Sequence, residues 1–269
     1  MTTEISPQKI FKTLTKPKRK KKRRQKRIYM LDEIRGTAVI AMVVYHFLFS
    51  AGYIFGDSSA RDIFKFITPV EPAIAVTFIF IAGICTKLSR SNIKRGAVLF
   101  VWALAINIIT GIFVPNMAIR FGVINFLGVC MILYGLCEKF IKKIKPVIGL
   151  VSSFIVFMLT WGLDSRYIGL FGCKLFNMPD FLYQTDFLFP LGLRNASFYS
   201  GDYFPMFPWA FMFLSGANFA QMFDGKVLPK KLYKKHSTFL SKAGKYSLII
   251  YMLHQPVIFL LLYILEYFK

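Results

Sequence analysis

The chain has 269 residues, of which 55% are hydrophobic and 17% aromatic, and its formal net charge is +22. A mean hydropathy of +0.51 excludes an ordinary soluble domain, which carries charge over its whole surface. The apolar runs are unbroken, whereas the strands of a transmembrane barrel alternate apolar and polar residues. Backbone groups in lipid must be bonded within their own segment, so these runs predict transmembrane helices.

Seven apolar segments follow one another along the chain, each long enough to cross a bilayer. We therefore expect an all-α, polytopic transmembrane helix bundle with about seven spans. The predicted spans are residues 30–53, 72–88, 96–114, 121–137, 146–163, 205–223 and 246–265. Residues 55–71 are predicted to form a loop, and residues 164–204 form the longest connection. Within that connection the apolar stretch 187–193 is too short to span, which indicates a re-entrant or interfacial segment.

The positive charge is concentrated at the N-terminus and in alternate loops. Residues 9–27 hold 12 Lys or Arg, and residues 1–28 are predicted to be a disordered cytoplasmic tail that rests on anionic lipid. Nucleic-acid binding is the alternative, but no groove-reading or base-stacking module accompanies the tail. With the tail inside, every inner loop is basic and no outer loop is strongly so. The charge pattern thus predicts an inside N-terminus and an outside C-terminus, with residues 29–269 forming the membrane domain.

The first span carries three ionisable residues on one face. Arg35 and His46 are 11 positions apart, which is three helical turns plus about 20°, and roughly 16 Å along the axis. Asp32 lies one turn before Arg35 on the same stripe, and we predict that it belongs to the same donor-binding site. Ionisable groups inside a span usually face a cavity and mark function, so His46 is a candidate general base and Arg35 a candidate clamp for an anionic donor. The alternatives are a structural interhelical histidine and a snorkelling arginine.

Two further groups of polar residues occur within or just before the last two predicted spans. In the last span, we predict that His254 and Gln255 line the path of the anionic donor substrate. Alternatively, these two residues form hydrogen bonds that pack the helix against its neighbours. Asp202 precedes the sixth span on the outer side and is a candidate catalytic residue, which could bind a sugar hydroxyl, or orient or recharge His46. Alternatively, Asp202 has no catalytic role and is a carboxylate stabilised by the dipole at a helix N-terminus. We predict that Tyr203 and Trp209 lie on the outer side, where an acceptor substrate would bind. An aromatic belt at the membrane interface would place both residues at the same depth.

The four cysteines, Cys85, Cys130, Cys137 and Cys173, are spaced neither as metal ligands nor as a disulfide framework. We expect them to pack as small apolar side chains, and we predict no metal site. The sequence also contains neither a glycine-rich phosphate loop nor a nucleophile elbow.

Three segments together are similar to a known family. Residues 31–47 resemble the first helix of the bacterial heparan-α-glucosaminide N-acetyltransferase catalytic-domain family, within the wider group of transmembrane acyltransferases. Residues 202–209 resemble its outer sixth-helix motif, and residues 244–256 resemble its last helix. The three matches have the order and spacing of the family and cover residues 30–266.

The resemblance implies transfer of an acetyl or other acyl group from cytoplasmic acetyl-CoA, as co-substrate, to a glycan or amino sugar on the far side of a bacterial plasma membrane. It implies that His46 is catalytic and that Arg35 is on the donor side. Animal lysosomal members have an asparagine at the position of His46 and a histidine in the following outer loop. Here that loop has no histidine, which favours direct transfer with His46 as base over a covalent acyl-histidine.

Two other functions also fit polar residues at membrane depth. A transporter or exporter of a small polar molecule would use them along its pathway, although no internal repeat is detected in this chain. A non-catalytic membrane scaffold would use Arg35 and His46 for structure alone. Convergence of Arg35, His46, Asp202 and His254 on one cavity would favour the enzyme.

Overall fold

The computed structural model describes residues 27–170, 172–224 and 228–268. The tail predicted at residues 1–28 therefore lies almost wholly outside the described residues. The described helices are α1 Tyr29–Phe49, α2 Ser58–Ile67, α3 Glu71–Ile84, α4 Asn92–Phe113, α5 Val123–Ile141, α6 Pro146–Thr160, α7 Met206–Gln221, α8 Thr238–Lys245 and α9 Ser247–Tyr267. A five-residue π-helix, Ser50–Ile54, extends α1. The fold is an all-α membrane bundle.

Six helical segments are long and apolar enough to cross a membrane in the part of the chain that the structure describes. They correspond to all the predicted spans except the sixth, which is α7. With 16 residues, α7 is roughly 24 Å long, shorter than the roughly 30 Å hydrocarbon core. It packs between α3 and α6, so neighbouring helices rather than lipid surround much of its backbone.

The prediction of a loop at residues 55–71 is wrong, because most of this segment is helix α2. Its apolar residues are interspersed with charged ones, so the segment lacks the continuous apolar run that indicates a span. Asp57 caps the helix by accepting a 2.9 Å hydrogen bond from the Ala60 backbone N–H. A short 3₁₀ turn, Thr68–Val70, then leads directly into α3.

The connection between α6 and α7 contains a small antiparallel sheet of β1 Tyr167–Leu170 and β2 Cys173–Asn177. The stretch 187–193 contributes one 3₁₀ turn, Phe189–Leu191. An ion pair joins Arg194 to Asp164, with the closer contact at 2.5 Å. That contact also raises the pKa of Arg194 through a hydrogen bond to the carboxylate. The connection is thus folded back against the C-terminal end of α6.

The core lies between α3, α5 and α7, where Ile79, Phe126 and Phe213 are fully buried. Large apolar side chains remain exposed on the perimeter, among them Phe113 and Phe140. Such a surface would be unfavourable in water but is matched to lipid tails. The interior is held by packing and by interhelical hydrogen bonds.

Small residues allow α3 and α7 to approach closely. A Cβ at Gly83 would lie 2.0 Å from the Phe213 carbonyl oxygen, and a Cβ at Gly216 would lie 2.0 Å from that of Phe80. Each glycine therefore faces the backbone of the other helix, the arrangement typical of close helix pairs in membranes. This contact fixes α3, which carries residues of both cavities described below.

Helix α8 holds the beginning of α1. A Cβ at Gly36 would lie 2.0 Å from the Leu240 carbonyl oxygen, so the two helices touch through their backbones. The Glu33 carboxylate accepts backbone N–H bonds from His236 at 2.7 Å and Ser237 at 2.9 Å. These contacts satisfy free donors at the start of α8 and set the position of the Arg35 turn.

Candidate active site

Two cavities lie toward opposite ends of the bundle. The outer chamber, of about 390 Å³, is bounded by the second half of α1, the start of α3 and the end of the α6–α7 connection. The inner chamber, of about 530 Å³, is bounded by the first half of α1, the α3–α4 loop, α4, α5 and the start of α9. Since α3 and α5 begin near the outer chamber and end near the inner one, the chambers follow one another through the bundle.

The inner chamber combines positive charge with an apolar wall. Four cationic side chains line it, namely Arg35, Arg90, Lys94 and Arg95, together with apolar residues of α4 and α5. No carboxylate is among its described lining residues. Guanidinium and ammonium groups grouped in this way bind phosphate groups, and the apolar wall suits an uncharged arm attached to them.

Arg35 is held from behind by residues that do not line the chamber. Its Nη1 lies 3.8 Å from Asp32 Oδ1, and Asp32 also forms an ion pair with Arg27. Arg35 Nη2 lies 2.6 Å from the sulfur of Cys85, which accepts a hydrogen bond. Cys85 is thus a hydrogen-bonding partner of Arg35 as well as the buried packing residue predicted from the sequence.

His46 faces the outer chamber beside two residues of α9. Its Nδ1 lies 3.1 Å from the amide nitrogen of Gln255, and its ring centroid lies 5.0 Å from that of His254. His254 Nδ1 lies 2.5 Å from the Tyr251 carbonyl oxygen, which can only accept, so Nδ1 carries the proton. Among the described residues, the buried His254 Nε2 and Gln255 Oε1 have no hydrogen-bond partner.

Asp202 joins three parts of the protein. Its Oδ2 accepts a 3.0 Å hydrogen bond from the Val123 backbone N–H, at the start of α5, and another from the Tyr251 hydroxyl of α9. A Cβ at Gly122 would lie 2.5 Å from this oxygen, so only glycine leaves room for the carboxylate. Burial raises the pKa of Asp202, and the bonds from Tyr251 and Val123 oppose that shift.

The outer chamber has a different charge from the inner one. Its ionisable lining groups, apart from tyrosines, are His46, Glu71 and Asp202, and no Lys or Arg is among its described lining residues. Tyr203 and Trp209 supply aromatic wall, and the Tyr203 hydroxyl donates to the Phe189 carbonyl oxygen at 2.5 Å. A chamber of this kind suits a neutral or cationic polar ligand.

The two chambers have part of their lining in common, and this shared boundary is called the neck below. Three residues line both cavities: Phe78 of α3, Val123 of α5 and Tyr251 of α9. The neck therefore lies next to Asp202 and one helical turn from His254, which itself contacts His46. The boundary between the two chambers thus includes Tyr251, whose ring centroid lies 5.4 Å from that of His254.

Comparison with family models supports the resemblance seen in the sequence. A family model described as "Heparan-alpha-glucosaminide N-acetyltransferase, catalytic" matches residues 27–256. The chain belongs to this family. It is thus a multi-pass membrane protein of an acetyltransferase family, and the resemblance found in the sequence is confirmed. Neither the curated proteins nor the solved structures gave a match.

The family match includes every predicted site residue. Arg35, His46, Asp202 and His254 do not converge on one cavity, and the structure divides the predicted site residues between two chambers. His46, Asp202, Tyr203 and Trp209 line the outer chamber, and Arg35 lines the inner chamber. The remaining predicted donor-side residues line neither chamber. Asp32 supports Arg35, whereas His254 and Gln255 lie beside His46.

Sequence reasoning missed several residues that line the two chambers. Glu71 was assigned to a loop, although an acidic residue directly before an apolar run could have indicated a cavity facing the outer side. Arg90, Lys94 and Arg95 served only as evidence for orientation. The sequence did contain a signal for their role, because these cations belong to an inner loop and the Arg35 end of α1 is predicted on the same side of the membrane. No sequence signal identifies Tyr251, because its partner Asp202 is distant in the chain.

Proposed function

We propose that the protein transfers an acyl group, typically acetyl, from acyl-CoA in the inner chamber to a hydroxyl or amine in the outer chamber. One observation carries this proposal: two chambers of different charge meet at a neck close to His46. A CoA molecule is too highly charged to cross a membrane, whereas its thioester end could reach the neck. The basic loops would place the inner chamber at the cytoplasm of a bacterial plasma membrane.

The donor would bind with its phosphates on the inner cations and its uncharged arm along the apolar wall. Arg90, Lys94 and Arg95 are near the entrance because they belong to the α3–α4 loop and the first turn of α4. Arg35 lies deeper, within α1. This order would draw the anionic end to the surface and direct the thioester inward.

In the reaction, His46 would take a proton from the acceptor as the acceptor oxygen or nitrogen attacks the thioester carbonyl. The C–S bond breaks, and the thiolate recovers the proton to give free CoA thiol. His46 Nε2 has no hydrogen-bond partner among the described residues. Half a turn of the Gln255 amide would let Oε1 accept from Nδ1–H, and Nε2 would then be the free base.

The acceptor is a sugar or glycan carrying a hydroxyl or an amine. Glu71 and Asp202 would bind its hydroxyl or ammonium donors, and the aromatic wall of Tyr203 and Trp209 would pack against the sugar ring. A negative chamber without a described cation favours an amine over an acidic group at the reacting end. The Glu71 carboxylate, which has no hydrogen-bond partner among the described residues, is available for this contact.

A transporter is the second candidate, because two chambers separated by a neck also suit alternating access. The chambers of a transporter bind the same substrate in turn. The opposite charges of these two chambers instead suit two different ligands, which supports a transferase.

The test uses the full-length protein in detergent with acetyl-CoA and follows release of free thiol. Glucosamine and glucose form a matched acceptor pair, because they differ only by an amine in place of a hydroxyl. Acceptor-dependent thiol release with formation of an acetylated sugar is expected, faster for the amine. Absence of release with any acceptor, together with sugar flux into liposomes, would replace the transferase by a transporter.

A further inference from the structure

The neck has one polar member, and that member is tied to the acceptor side. Phe78 and Val123 contribute apolar residues to the neck. Tyr251 adds a ring whose hydroxyl donates to Asp202. The bond links α9 to the end of the α6–α7 connection, so the ring is held by an interaction that lies at the outer chamber.

The chemistry requires control at this point. A thioester that meets the acceptor can also meet water, which is far more abundant and would give free acid and CoA thiol. An open neck would therefore waste donor whenever the acceptor is absent. A closed neck must open when the acceptor arrives, and the signal must come from the outer chamber.

Asp202 is placed to give that signal. Its Oδ2 is shared between Tyr251 and the Val123 backbone N–H, and Asp202 also lines the outer chamber. An acceptor hydroxyl or amine that donates to Asp202 would compete with the Tyr251 hydroxyl for the same carboxylate. Because the Val123 bond comes from the backbone, Asp202 would stay in place during this exchange.

We propose that Tyr251 is the coupling residue of the acyl transfer, which it directs to the acceptor rather than to water. This inference rests on the proposed function. While the acceptor is absent, the Tyr251–Asp202 bond holds the neck closed. When the acceptor binds Asp202, the tyrosine is released, the neck opens, and the thioester reaches His46 with the acceptor already in place.

Two variants test how the acyl group is divided between the acceptor and water. Tyr251→Phe keeps the ring and loses the bond, and Tyr251→Ala also opens the neck. Acceptor-independent thiol release should rise about tenfold in Tyr251→Phe, the effect of losing a hydrogen bond to a carboxylate, and further in Tyr251→Ala. Acetylated sugar formed per thiol released should fall in the same order.

The matched control is Tyr263→Phe, because Tyr263 is on the same helix and is 68% exposed on its surface. It should keep the wild-type ratio of product to thiol. A purely structural role for Tyr251 would lower the thermal stability and the total rate without changing this ratio. An unchanged ratio in both Tyr251 variants would overturn the proposal.

A labelling experiment tests the neck without relying on enzyme activity. In a chain whose four cysteines are replaced by serine, Met42→Cys places a thiol in the outer chamber. A charged, membrane-impermeant thiol reagent is added to right-side-out or inverted membrane vesicles. In the chain that keeps Tyr251, the thiol should react only when the reagent is on the outer side of the membrane. In the chain that carries Tyr251→Ala, it should react with reagent on either side.

The activity and labelling experiments together distinguish failure of the neck proposal from failure of the proposed transferase function. Identical labelling in the Tyr251 and Tyr251→Ala backgrounds would refute closure of the neck by Tyr251, whatever the activity. The expected change in labelling, with no thiol release for any acceptor, would support closure and refute the transferase reaction.

Discussion

Replacement of His46 by alanine is the most direct test of the catalytic role. A positioned general base contributes about 10²- to 10⁴-fold to a rate. At about 1.36 kcal/mol for each factor of ten, His46→Ala should raise the barrier by roughly 3–5 kcal/mol. The KM for acyl-CoA should stay within about twofold, because His46 lines the outer chamber and not the inner one.

The assay is steady-state thiol release by the purified protein, with kcat and both KM values measured at saturating co-substrate. Thermal unfolding in detergent checks the fold, because the variant also loses the contact with Gln255, worth about 1 kcal/mol. His236→Ala is the matched control. Its side chain lies 3.3 Å from Glu33 and lines neither chamber, and the backbone bonds to Glu33 remain.

The outcome that refutes the reasoning is a folded His46→Ala protein with kcat within about threefold of the wild type, far short of the loss expected when a general base is removed. A fall in kcat accompanied by an equal fall in His236→Ala would also refute it. In that case the loss would come from changed stability and not from removal of a base.

Three other variants test the remaining parts of the site. Glu71→Gln should raise the KM for glucosamine about tenfold through loss of a charge-assisted bond, and should change the KM for glucose much less. Arg95→Gln should raise the KM for acyl-CoA about tenfold, and the difference from wild type should shrink at high salt. Gly216→Val should lower stability by about 2–3 kcal/mol in thermal unfolding, because a Cβ there would lie 2.0 Å from the Phe80 carbonyl oxygen. Gly111→Val is its control, since a Cβ at Gly111 meets no atom within 4 Å, and equal destabilisation of both variants would contradict the packing argument.

The helices could be predicted because membrane insertion depends on local composition. An apolar run must satisfy its own backbone, so hydropathy alone located the spans. Helix α2 escaped this reasoning because an amphipathic helix of 10 residues has no continuous apolar run. The short α7 was predicted as an ordinary span, and only packing against α3 and α6 explains how its 16 residues are accommodated.

By itself, the sequence determined the features that depend on neighbours within one helix. The helical repeat placed Arg35 and His46 on one side of α1, and both line cavities. The tertiary structure alone decided which distant residues meet. Tyr251 and Asp202 are 49 positions apart and on separate elements, and Gln255 reaches His46 across 209 positions. Such contacts depend on how helices cross, which no local pattern of hydrophobicity or charge records.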